Sequence, residues 1–100
     1  MVELSLREAG QAAALRRFPA EHRTIDELML TSGDFCDMCE ELAEAEGALR
    51  ATEGLPPAVR TERTAEWTAV IDRLTAEIGR ALNEAHAHRA GWTSPLKRNS

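Results

Sequence analysis

The stretch EWTAVIDRLTAEIGRALNEA, residues 66–85, decides the fold class of this chain. In it Trp67, Val70, Ile71, Leu74, Ile78, Ala81, Leu82 and Ala85 recur at the i, i+3, i+4, i+7 spacing that lines one face of a helix. Just upstream, GLPPAV (residues 54–59) supplies Gly54 to end a preceding helix, and Pro56 and Pro57 for a loop or first turn where no amide donor is lost. The spacing predicts a helix over about 57–88. On the other side of the turn, SGDFCDMCEELAEAEGALR (residues 32–50) places Phe35, Met38, Cys39, Leu42, Ala45 and Leu49 on a second stripe, with Ser32 or Asp34 as its cap. This predicts a helix over about 33–52.

Earlier in the chain the signals weaken. RTIDELML (residues 23–30) holds a Thr-x-x-Glu capping box at Thr24 and Glu27, with Ile25, Leu28 and Met29 as a small apolar face, so a short helix is expected over about 24–31. Residues 4–17 favour helix by composition, but their apolar spacing is poor, and residues 1–20 read as a weak helix or a mobile segment. The end, GWTSPLKRNS (residues 91–100), lacks periodicity and reads as a flexible tail. Strand signals are nearly missing: tyrosine is absent and no run alternates apolar and polar between turn residues. The expected class is all-α, with residues 21–90 forming one domain around an antiparallel helical hairpin.

Composition narrows the functional classes. The 100 residues carry 12 basic and 17 acidic side chains, a net charge of -5, which argues against a chain built to neutralise nucleic-acid phosphates. No window approaches the ~18–20 apolar residues of a membrane span, and the start lacks the basic-then-apolar pattern of an export signal. With two cysteines only three positions apart there is no disulfide framework, and a reducing cytoplasm is the expected location. Lys97 is the only lysine among many arginines and alanine is abundant, as in the proteins of a GC-rich bacterial genome.

A turn this short makes the two long helices antiparallel neighbours. Centred near residues 54 and 55, it pairs positions whose numbers sum to about 109: Leu42 with Trp67, Cys39 with Val70, Phe35 with Leu74. Glu46 then falls on the apolar face, roughly 20° from Phe35 at 100° per residue, opposite Arg63. An ion pair that fixes the register is the expected reading of Glu46 and Arg63.

Cys36 and Cys39 invite two chemical readings. A redox Cys-x-x-Cys follows a strand and has its thiolate favoured by cations, whereas no strand precedes this pair and its neighbours are Asp34, Asp37 and Glu40. A Cys2His2 metal set with His86 and His88 is formally complete, yet the expected register leaves those histidines roughly 20 Å or more from the cysteines at 1.5 Å per residue. Packing is therefore the preferred reading, with Cys39 in the core and Cys36 at its flank, and no cofactor or metal is expected. The two histidines suit a helix C-terminus through its dipole.

Residues 34–53 carry seven acids against the single base Arg50. Asp37, Glu40, Glu41 and Glu44 lie opposite the apolar stripe, a surface suited to a basic protein partner or to an arginine-rich segment of the same chain such as Arg16, Arg17 and Arg23. Trp92, isolated in the tail, is a candidate anchor for a partner. No phosphate loop, Ser-His-Asp order, Glu-x-x-His pair or His-Glu-x-x-His pattern is present. The expected function is a non-enzymatic interaction or regulatory module acting through helix faces; the alternative is a thiol or metal sensor at Cys36 and Cys39. A single hairpin leaves the rims of both stripes wet, so a homodimer is expected to complete a four-helix bundle around Met38, Leu42, Ile71, Leu74 and Ile78; the alternative is that the N-terminal segment folds back as a helix and completes a monomeric bundle, with Leu4, Leu6, Leu15 and Phe18 filling the gap.

Overall fold

The computed structural model describes the backbone of residues 2–89 and side chains from Leu6 onward; Trp92 and the rest of the expected tail lie outside the described residues. Every regular element among them is helical: α1 (Val2–Arg17), α2 (His22–Thr31), α3 (Gly33–Ala51) and α4 (Pro57–Arg89), with 3-10 turns at Pro19–Glu21 and Thr52–Gly54. None of these helices is long and apolar enough to cross a membrane.

A single residue separates α2 from α3. Ser32 has an extended backbone, donates its amide to Leu28 O at 2.9 Å to close α2, and accepts from Phe35 N at 3.1 Å to open α3. One residue thus satisfies groups at two helix ends, its amide at the end of α2 and its hydroxyl at the start of α3. The capping box expected at Thr24 does not form. Helix α2 begins two residues earlier, after Glu21, and Thr24 is buried inside its first turn. There its hydroxyl accepts a 3.3 Å hydrogen bond from Arg89 of α4.

Helix α1 differs most from the sequence expectation. It is a regular helix of sixteen residues, and its inward side, Gly10, Ala13 and Ala14, lies buried in the core. A Cβ built on Gly10 would sit 2.9 Å from Glu40 N and 3.0 Å from the Cys39 carbonyl carbon, so the α1 and α3 backbones are in direct contact there. Small residues permit that approach, and tight backbone packing replaces the large apolar side chains that a periodicity search weighs. At the end of α1, Phe18 turns its ring onto α4, 3.5 Å from where a Cβ on Gly79 would stand.

The core is completed by Ile25 and Met29 of α2, Phe35, Cys39 and Leu42 of α3, and Ile71, Leu74, Ile78 and Leu82 of α4. Of the residues expected to need a second copy for cover, Leu42, Ile71, Leu74 and Ile78 are already buried within one chain, while Met38 is half-buried. The α3–α4 register also differs. Thr52 and Thr64 share a 3.2 Å hydroxyl hydrogen bond, a pair summing to 116 where 109 was expected. The 3-10 turn and the extended Leu55 carry the chain outward before α4 begins, and residues 57–63 overhang, all exposed. Trp67 is consequently half-buried at the edge and not a core residue.

Candidate interaction surfaces

Glu46 is the one buried charged side chain among the described residues, and its partners are not those expected. Its Oε1 and Oε2 accept from Arg16 Nη2 at 2.7 Å and Arg17 Nε at 2.8 Å, with only 10% of its side chain exposed. Arg63 instead bonds Glu66 one turn along its own helix at 2.8 Å. The shifted register takes Arg63 away from Glu46, and the docked end of α1 brings two guanidinium groups to it. Burial pushes the Glu46 pKa up, but the hydrogen bonds and charges of Arg16 and Arg17 together outweigh that and hold it below its ordinary value. Of the arginines raised by the sequence as same-chain partners for the acidic stretch, these two take that role.

Both cysteines are free and buried. Cys39 is fully covered and its thiol is pushed up to about 12, first by burial and then by the neighbouring Cys36 and Glu40. At neutral pH it is a neutral packing group, not a nucleophile. Cys36, placed at the flank by the sequence, is 7% exposed, and its Sγ lies 3.1 Å from Met29 O as donor. His86 pairs with Glu21 at 2.7 Å, and His88 lines a separate cleft, so the four residues of the Cys2His2 reading do not converge. Among the described residues no cluster of three or more His, Cys, Asp or Glu side chains is arranged to hold a metal ion.

Among the described residues two concave surfaces bear on a partner. The first, of about 240 Å³, lies between α3 and α4 and is lined by Glu41, Glu44, Ala45, Trp67, Val70, Arg73 and Leu74. Of the expected acidic face, Asp37, Glu41 and Glu44 are exposed and Glu40 is half-buried beside the Gly10 contact. None of these four has an ion-pair partner among the described residues. The carboxylates were legible in the sequence, whereas Trp67 reads as core from its place on the periodic stripe and stands half-buried instead.

The second surface is a cleft of about 810 Å³ where α2, the start of α3 and the end of α4 diverge. Leu28, Phe35, Met38, Ala81 and Ala85 give it an apolar lining, and Glu27, Asp34, Glu84, His88 and Arg89 stand among its polar lining. Arg89 crosses from α4 to α2, bonding Glu27 at 2.6 Å as well as Thr24. No sequence signal marked this cleft, since it arises where the end of α4 meets α2, two helices that are not neighbours in the chain. Comparison of the chain with family models, with curated proteins and with solved structures gives no match.

Proposed function

We propose that this protein is a non-enzymatic binding module that receives a basic, amphipathic helix of a protein partner along the groove between α3 and α4. The observation that carries the reading is the pairing of Glu41 and Glu44, carboxylates without ion-pair partners among the described residues, with the half-buried Trp67 and Val70 in one groove. An aromatic floor supplies desolvation and the acidic rim supplies orientation and on-rate, the division of labour usual at helix-binding grooves. The antiparallel hairpin of α3 and α4 would hold both rims at fixed spacing. Thiol sensing has less behind it, because Cys39 is covered and neutral. Homodimerisation through the hairpin stripes has less behind it, because Leu42, Ile71, Leu74 and Ile78 are already covered within one chain.

The test is an NMR titration of the full chain with a synthetic helix of leucine and lysine at helical spacing, with its glutamate counterpart as control. Expected are shifts confined to Glu41, Glu44, Val70 and the Trp67 indole, weakening as salt is raised and lost in the Glu41→Lys, Glu44→Lys double variant. Equal binding of the acidic peptide, or shifts that avoid the groove, would overturn the reading. Sedimentation equilibrium of the same samples separates a dimer from the 11.0 kDa monomer.

A further inference from the structure

We infer that the basic helix taken by the α3–α4 groove is the overhanging start of α4, residues 57–63, of a second copy of this chain, in a reciprocal antiparallel pair. The inference rests on the groove reading above and names its partner.

Residues 57–63 are the part of α4 that the fold of one chain does not use. With Thr64 level with Thr52 at the end of α3, they project past the hairpin for about 10 Å at 1.5 Å per residue, and all are exposed. Two turns of helix gain little from their own hydrogen bonds, and Val59 and Thr61 are poor helix formers, so cover from outside is what this extension lacks. Val59 is 41% exposed, a large apolar side chain left in solvent.

The face that the overhang presents is complementary in charge to the groove. At 100° per residue Arg60 and Arg63 lie within roughly 40° of Trp67 around the helix, while Glu62 and Glu66 lie roughly 100° or more from it. The side that continues the groove is therefore basic. Arg60 has no ion-pair partner among the described residues, and the Arg63–Glu66 contact joins two side chains that are 51% and 52% exposed. A surface pair of that kind contributes little and exchanges at little cost. Across the groove stand Glu41 and Glu44, likewise without ion-pair partners among the described residues.

The geometry is also self-complementary. Val59, Arg63, Trp67 and Val70 follow one another along α4 at spacings of four, four and three, so the overhang and the groove edge are one continuous face of one helix. Two α4 helices laid antiparallel on that face about a two-fold axis seat each overhang on the other's groove at once, with Val59 against Val70 and with Arg60 and Arg63 at the acidic wall. Both contacts are satisfied within the pair, so association closes at two copies. A contact limited to a few turns of one helix pair belongs to the weak class, with a dissociation constant on the order of hundreds of micromolar.

The experiment is sedimentation equilibrium of the full chain up to about a millimolar at low salt, where the mass is expected to rise from 11.0 kDa toward that of a dimer, and less so at high salt. Two charge-reversed chains are then compared, Arg60→Glu with Arg63→Glu, and Glu41→Lys with Glu44→Lys. All four positions are exposed, so the helical circular dichroism is expected to stay unchanged. Each reversed chain alone should associate roughly tenfold or more weakly, because like charges then meet at both contacts. Mixed in equal amounts they should pair again, since each overhang then finds a groove of opposite sign. A parent chain that stays monomeric at the highest concentration, a dimer indifferent to the reversals, or no pairing on mixing overturns the inference. The leucine and lysine helix, added to the Arg60→Glu, Arg63→Glu chain with its groove intact, separates the two readings. Shifts at Glu41, Glu44 and Trp67 without a mixed dimer remove this inference alone, and the absence of both removes the groove reading with it.

Discussion

Gly10 and Gly47 show how the same substitution acquires opposite signs from its surroundings. Both sit inside helices, where replacing glycine by alanine gains about 1 kcal/mol of propensity. At Gly47 the new methyl would meet nothing nearer than the Arg50 guanidinium at 3.8 Å, an ordinary contact, and Gly47→Ala should stabilise by about 0.5–1 kcal/mol. At Gly10 the methyl would lie 2.9 Å from a backbone nitrogen of α3, which cannot move aside as a side chain would. Overpacking then exceeds the propensity gain, and Gly10→Ala should destabilise by about 1–3 kcal/mol. Urea unfolding followed by circular dichroism measures both; a stabilising Gly10→Ala would mean that α1 does not rest on α3 at this point. The sequence made Cys39 legible as a core residue because its neighbours on the stripe are apolar. It could not mark Gly10, for a residue without a side chain carries no signal of what it touches.

Between elements, the contact between the end of α1 and α3 depends on pH through Glu46. Its carboxyl titrates lower in the folded chain than the ordinary value of 4.5, so its contribution is complete above about that pH and is lost as pH falls through the lower folded value. Arg16 and Arg17 are 59% and 36% exposed, which screens the pair from its outer side. Glu46→Gln should therefore cost about 1–2 kcal/mol at pH 7, with the difference from the parent chain closing in acid. Chemical denaturation across that pH range is the measurement. A difference that persists unchanged at the acid end would show that packing and not charge is lost. In a double-mutant cycle the coupling should appear between Glu46 and Arg17 and be absent between Glu46 and Arg63. Helix limits were legible at this scale: 33–52 and 57–88 were expected, and α3 and α4 run over Gly33–Ala51 and Pro57–Arg89. Their relative register was not, because it was set by the outward path of residues 52–56.

For the molecule as a whole, α1 closes the core that the sequence argument judged too small for one chain. Counted by stripes of large apolar residues alone, the hairpin calls for cover from a second copy or from the N-terminal segment. Gly10, Ala13 and Ala14 supply the missing cover from within. Removing residues 1–18 should therefore uncover the α3 surface around Cys39 and Ala45, and the remaining chain should associate more strongly than the full chain at the same tens-of-micromolar concentration. Sedimentation equilibrium reads this directly. A truncated chain that stays monomeric and unfolds as cooperatively as the parent would show that α1 is not part of the core.

What the sequence determined by itself is local: the all-helical class, the extents of α3 and α4, a side-chain cap at Ser32 or Asp34 and the inward position of Cys39. Each follows from spacing within a single helix or from a side chain reaching its own backbone. Tertiary structure alone decided which segment covers the α3 stripe, which arginines meet Glu46, where Trp67 stands and that a cleft opens between α2, α3 and α4. Those outcomes depend on distances between segments far apart in the chain. Such distances are fixed by how closely backbones can approach and by the path of a five-residue turn, neither of which leaves a periodic trace in the sequence.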